Sequence, residues 1–460
     1  DAFPVFTTPF NGWMAKATAQ SDPAYSARQQ YYWQAQSYSN LNSGRGVPGF
    51  ILAICDPGLP AAPPAELARK FEGFGNILRT SWTDPKASYV AHRCGYYTHH
   101  YDPGDGNSIL YHAKGVPLCV DFGHRGATGD EVRTMWRPDY HTTVAFDRPA
   151  PHTHWGMSGG PREMNASAQA VLSLPRTLDY STGLSCGSGN QRHTRHLLLV
   201  KSDDQMGATY LVLRDSTKDG QPNQTFTWNV WVMAKEPEIT GNVAHFPGLF
   251  GVDLDAHVLT PANPDFTKNA FTYKQWVNPW GFFEEEQTGV HVRKAGSKED
   301  FFSVLYPRAP GQGPAEMTMI GGKGLLIKHM EGIDLVLFSP GIPAGATSGD
   351  MHVNGEISLV RRYTNGTIRL AMLKGNNDTV SCDGWALTTN AQAAVEIIGN
   401  TAVGESAGTG PHMVTFTLPE GHGIPEVTVN GTPFAVKVEA NTWFTLNLPA
   451  GSHTFTIKLQ

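Results

Sequence analysis

The chain has 460 residues, room for two or three domains, and its 17% charged and 40% apolar content excludes an intrinsically disordered protein. A net charge of −6 argues against a general nucleic-acid binder, while a local basic site can still hold an acidic polymer. No apolar run approaches the length of a membrane span, and the 49 Gly and 32 Pro, with many Thr, Val and aromatic residues, point to a turn-rich, mainly β protein.

In chain order, "AYSARQQYYWQAQSYSNLN" over 24–42 is the clearest helix, its aromatics recurring at helical spacing without Pro or Gly. A Pro-rich linker, "CDPGLPAAPPAELA", follows over 55–68. Short strands then recur between Gly, Asp, Asn and Pro turns: 77–83, 87–93, 108–121, 142–146, 196–202, 208–215, 225–233, 289–293, 301–306, 324–337, 355–363 and 367–373. A long strand series without intervening helices implies antiparallel sheets packed as a sandwich. "HMVTFTLPEG", "PEVTVNGTPFAV" and "TWFTLNLPAGSHTFTIKL" form a further series, with "VNGT" as a hairpin signal. These readings divide the chain into a helical and linker part, 1–60, a large sandwich, 61–374, and a smaller C-terminal β module, 375–460. The lone helix has no helical partner in such a scheme, so its apolar face must dock on the sandwich or on something outside this chain.

Cys55, Cys94, Cys119, Cys186 and Cys382 show no CxxC spacing, which argues against a zinc ribbon or dithiol motif. Sequons at Asn165, Asn223, Asn365, Asn377 and Asn430 lean toward a secreted setting, and a start at Asp1 without Met reads as a processed product. "GGKGLLI" lacks P-loop spacing, and no GxSxG element occurs.

The stretch richest in chemistry is "GYYTHHYDPGDGNSILYHAKGVPLCVDFGHRG", Gly95–Gly126. His100 and Asp121 are 21 residues apart, and Asp121 and His141 are 20 apart, intervals that return strand ends to one edge of a meander. His100, Asp121 and His141 offer imidazole and carboxylate donors that suit a tetrahedral zinc. The plainer alternative has Asp121 capping a turn and each His in an ordinary surface or core position. "DPGDGN" fails the spacing of a calcium loop, which leaves calcium as the weaker metal alternative. His99 and His100 are adjacent, so on extended chain one can ligate while the other faces a cleft as base or neutralising group. "FGHRGATGDEVRTMWRPDYH" adds His124, Arg125, Arg133, Arg137 and Tyr140; arginine suits a sugar carboxylate or sulfate, and solvated loop charges are the bland alternative. "HTRHLLLVKSDDQMGATYLVLRD" reads as scaffold.

The run from Ile77 to Gly123, with Arg79-Thr80-Ser81-Trp82, His99-His100-Tyr101-Asp102, Asp121-Phe122-Gly123 and then His141-Thr142-Thr143-Val144, resembles the heparinase II/III-like polysaccharide lyases. The resemblance covers about residues 45–375. It implies an (α/α) toroid followed by an antiparallel β-sandwich, with a sandwich zinc on His100, Asp121 and His141 and a catalytic role for His99. Tyr140 is the nearest counterpart of the sandwich tyrosine, with Arg125 in the same loop. It further implies β-elimination on an acidic, uronate-containing polysaccharide in a secreted or periplasmic setting. Two departures stand out: extra residues in the His-rich turn leave open which of His99 and His100 binds metal, and most of the toroid is absent. Residues 1–45 then read as its last turns, and the rest of the toroid, as a missing N-terminal segment or a separate chain, as a partner. A non-catalytic structural or carbohydrate-binding β protein and a zinc-dependent hydrolase are the competing readings.

Overall fold

The computed structural model describes residues 8–35, 54–95, 106–122, 138–146, 166–186, 192–218, 224–277, 281–419, 425–439 and 442–459. Their architecture is mainly β, with four sheet layers stacked on three cores. A five-stranded sheet is formed by β1 (Ala68–Phe71), β2 (Gly75–Arg79), β3 (Tyr89–Arg93), β4 (Ser108–Ala113) and β5 (Val116–Cys119) in sequence order. With a four-stranded sheet that includes Thr225–Val232 and Val144–Phe146, it covers one face of an eight-stranded sheet. The other face of the eight-stranded sheet packs on a ten-stranded sheet, which in turn packs on a six-stranded one.

The two middle sheets explain the apolar runs that do not alternate. In the strand Arg192–Val200, Leu197 and Leu199 enter the outer core while Leu198 and Val200 enter the middle one. In Gly332–Phe338, Leu335 and Leu337 face one way and Val336 and Phe338 the other. A strand buried on both faces has no polar side to show.

Residue 375 does not divide two modules. Ile368–Lys374 pairs with Gln392–Ile398, Leu370 lying opposite Val395, so strands on both sides of that position share one sheet. The second sandwich begins at Glu316–Ile320, after the stretch "APGQGP" at 309–314. The turn near 375 carries the chain from the ten-stranded to the six-stranded sheet within one sandwich. The expected strands 108–121 and 324–337 are each two strands around a turn, the first turning at Lys114–Gly115, both at positive φ. Ala166–Leu174 and Leu178–Cys186 escape hydrophobic periodicity because the second buries Asp179, Ser181 and Thr182. Two of those polar groups are matched: Asp179 meets Lys201 at 2.6 Å, and the Ser181 hydroxyl meets His92 at 2.7 Å and the Asn76 amide at 2.8 Å.

The helical part is a hairpin of α1 (Thr8–Thr18) and α2 (Pro23–Ala35). Asp22 caps α2, accepting from Tyr25 N at 2.9 Å, and Pro23 opens it. The expected extension to residue 42 lies outside the described residues. Buried Trp33 packs so closely on Gly12 that a Cβ there would stand 2.6 Å from its ring. The helix expected to stand alone thus has a helical partner in α1, which no pattern in the sequence announced, and it also docks on the sandwich: Tyr31 donates to the Trp82 carbonyl at 2.6 Å, and Tyr31 and Tyr32 meet the Trp82 ring edge-on at 6.4 and 6.2 Å. No helix among the described residues is long and apolar enough to cross a membrane. All five cysteines are free thiols. Of the sequons, Asn365, Asn377 and Asn430 sit on exposed turns, the last two at positive φ, where Asn is favoured in its own right.

Burial holds His92 at a pKa of about 3 and His196 and His257 at about 4. In the unfolded chain each titrates near 6.5. The folded state therefore keeps them neutral, and their contribution is full above pH ~6.5 and lost as pH falls toward 4. Unfolding at pH 5 takes up about three protons from this set, a slope on the order of 4 kcal/mol per pH unit. Urea midpoints should fall steeply between pH 6.5 and 4.5; a flat profile over that range contradicts the assignment.

Candidate functional site

β3 and β5 end on the same side of the five-stranded sheet. Arg93 closes β3, and Asp121 lies two residues beyond β5. A single 3-10 turn, Pro138–Tyr140, brings His141 to the same place, just before the strand Val144–Phe146. The Asp121 carboxylate is the hub: its Oδ1 lies 2.5 Å from His141 Nδ1 and its Oδ2 2.8 Å from Arg93 Nη1. Burial alone would raise the Asp121 pKa, but the charges and hydrogen bonds of His141 and Arg93 outweigh it and hold the carboxyl below its ordinary range. Asp121 is thus a carboxylate at neutral pH, and the Nδ1 proton of His141 points at it. With Nδ1 as the donor, the neutral form of His141 has its imidazole lone pair at Nε2.

The donor chemistry of this pair fits zinc, one carboxylate oxygen and one imidazole nitrogen converging from separate segments. Their spacing is that of a hydrogen bond; two donors of one tetrahedral zinc stand about 3.3 Å apart. Either a metal replaces the shared proton, or Asp121 orients His141 through Nδ1 while Nε2 ligates, the usual outer-shell arrangement. His99, His100 and Arg125 lie outside the described residues, as does "DPGD" of the calcium alternative. A second group of donors, Asp350, Cys382 and Asp383, lies within 4.8 Å of one another. Arg362 pairs with both carboxylates there at 3.0 and 3.6 Å, and burial pushes the Cys382 thiol up to about 12, so it is protonated and a poor ligand.

Tyr140 precedes His141 and stacks on Trp231 at 5.4 Å with a 16° interplanar angle. Tyr140 meets Phe271 edge-on at 5.1 Å and Phe122 edge-on at 6.2 Å, and Phe122, next to Asp121, also meets Trp231 at 5.2 Å. The Trp231 indole donates to the Asp139 carbonyl at 2.8 Å, fixing the 3-10 turn to the four-stranded sheet. The ion cluster therefore sits against an aromatic floor.

Behind the site, fully buried Arg195 clasps Asp215 at 2.7 and 3.1 Å. Its remaining donor, Nη1, reaches the carbonyls of Asn107 at 2.9 Å and Thr142 at 2.8 Å. Asp215 also accepts from His193 at 2.8 Å. Asn107, at φ 61°, donates to the carbonyls of Gly183 and His193. Arg195 thus ties the residue after His141 to the chain that follows the His-rich turn. The stretch read as scaffold is scaffold, but charged scaffold. Its signal was in the sequence: Arg195 and Asp215 are equidistant from the hairpin that pairs Val200 with Tyr210, so they must face each other.

Removing one partner of such a pair leaves a buried charge. Arg195→Met should lower the unfolding free energy by about 3–5 kcal/mol in urea, and adding Asp215→Leu should recover at least about 1 kcal/mol. A single variant within about 1 kcal/mol of wild type contradicts this role.

No protein-family model matches this chain, and no curated protein does either. Among solved structures, a heparan sulfate lyase, HepC from Pedobacter heparinus, matches at a TM-score of 0.50 and 18% identity, over 72% of this chain and 48% of that one. A mutant of the same enzyme gives 0.49 and 16% over 79% and 48%, and a heparinase III gives 0.45 and 13% over 70% and 46%. The chain spans about half the length of the lyases it matches. Its mainly β fold is therefore similar to that of the heparan sulfate lyase over 72% of the chain.

Proposed function

We propose that the chain is the sandwich portion of a secreted or periplasmic polysaccharide lyase that cleaves uronic-acid glycosidic bonds by β-elimination, completed by a toroid segment or chain. The observation that carries this reading is the convergence of Asp121 and His141 beside Tyr140 on a lyase-type fold. The reaction removes the weakly acidic C5 proton, forms the C4–C5 double bond and expels the O4 leaving group, which takes up a proton. It needs a group to neutralise the uronate carboxylate, a base and an acid. In this reading His99 neutralises the carboxylate or acts as base, Tyr140 is the sandwich acid/base candidate and Arg125 a substrate contact. Asp121 holds the His141 proton at Nδ1, and the Trp231 stack orients the Tyr140 ring. Zinc on His100, Asp121 and His141, taking the place of that proton, would cross-link the His-rich turn to the sheet as a brace.

A carbohydrate-binding protein without catalysis is the second reading. It is favoured by the charge balance of the Arg93–Asp121–His141 cluster, which holds segments together without any reaction.

The test is turnover of alginate and heparan sulfate, read as ultraviolet absorbance of the unsaturated end. Wild type together with its toroid part should form it, and His141→Ala and Asp121→Asn should lower kcat/KM by about a hundredfold or more. Both variants should also lose bound zinc by mass spectrometry. Glycan binding without unsaturated product favours the second reading; cleavage without it favours hydrolysis.

A further inference from the structure

Four buried bases elsewhere hold carboxylates: Arg195 with Asp215, Arg361 with Asp334, Arg369 with Glu396 and Lys201 with Asp179. Arg79 does not. Its guanidinium lies 4.1 Å from the centroid of Trp82 and 4.4 Å from that of Tyr89, and its buried Nε has no hydrogen-bond partner among the described residues. Desolvation lowers its pKa, and the groups that oppose this are three tyrosines rather than any acid. Arg79 is half-buried, and even a guanidinium partly taken from water without a counter-charge carries a cost that the ring faces compensate only in part.

Two further arginines share this neighbourhood. Arg69 lies opposite Ile77 across the β1–β2 pair, so Arg79, two residues on, is its diagonal neighbour on the same sheet face, about 7–8 Å away. Arg69 is exposed and over the Phe71 ring at 5.5 Å. Arg28 is one helical turn before Tyr32 on α2, the helix that docks at Trp82. The charges of Arg69, Arg28 and Arg79 all act on the Tyr32 phenol, with Glu66 the one acid acting on it. None of the three arginines has an ion-pair partner among the described residues.

We propose that Arg28, Arg69 and Arg79, at the junction of α2 with the five-stranded sheet, form an oxyanion subsite that takes a carboxylate or sulfate of an acidic glycan. The guanidinium fork matches two oxygens of either group. The subsite extends the reading of an acidic polysaccharide substrate, on which it rests. Arg79 pairs with Tyr89, and Tyr89 and Arg93 lie on one face of β3 four residues apart. That is about 14 Å along the strand, so one extended glycan chain can reach both this subsite and the Asp121 cluster.

The experiment is titration calorimetry of the full chain with alginate oligosaccharides, heparin oligosaccharides and neutral dextran. Wild type should bind one or both anionic probes and not dextran. Arg69→Gln, whose side chain is exposed and free of folding burden, should raise Kd about fivefold, and Arg69→Gln/Arg79→Gln about tenfold or more. Weakening for alginate identifies carboxylate as the ligand group, and weakening for heparin alone identifies sulfate. Unchanged affinity in both variants, equal binding of dextran, or no binding of either anionic probe overturns the subsite. Arginine-dependent binding without elimination sinks the lyase reading alone, and elimination with arginine-independent binding sinks the subsite alone.

Discussion

The structure turns on the Arg195–Asp215 pair. Both residues sit on strands of a sheet buried on both faces, where a lone charge is not tolerated. Pairing satisfies them, and the spare donor of Arg195 is spent on the carbonyls of Asn107 and Thr142. One buried cation thus fixes the two segments that flank the His-rich region and His141. The site at the sheet end is not a loop accident; it is anchored through the outer core to the middle of the molecule.

Much of this fold was legible from residue pattern. Strand-sized apolar runs and turn residues lead to stacked antiparallel sheets, and the aromatic face of α2 does dock on the sandwich through Tyr31 and Tyr32, while α1, the helix it pairs with, went unread. The boundary at 375 was misplaced because a turn between two sheets of one sandwich has the same Gly and Asn signature as a domain linker. The stretch at 309–314 held the stronger punctuation. The strand Leu178–Cys186 was invisible because its inward residues are hydrogen-bonded polar groups, which periodicity counts as surface.

At the site, the even spacing of Asp121 and His141 from a common edge was readable, and the structure brings the two together. Arg93 was not readable: nothing in "YVAHRCGYY" says that its last strand residue will reach across two strands to a carboxylate. Trp231 and Phe271 come from strands more than eighty residues downstream of His141, and only the tertiary fold sets them beneath Tyr140. Arg79 was noted only as part of a motif. Its meaning comes from what surrounds it, two rings and no acid.

In the proposed mechanism Asp121 and His141 are one working unit, joined by a shared proton or a shared metal. A double-mutant cycle on elimination rate, with Asp121→Asn, His141→Gln and the pair, measures that directly. Residues that act as a unit are non-additive, so the double variant should be no slower than the worse single one. Losses that simply multiply would contradict the unit and return both residues to independent roles.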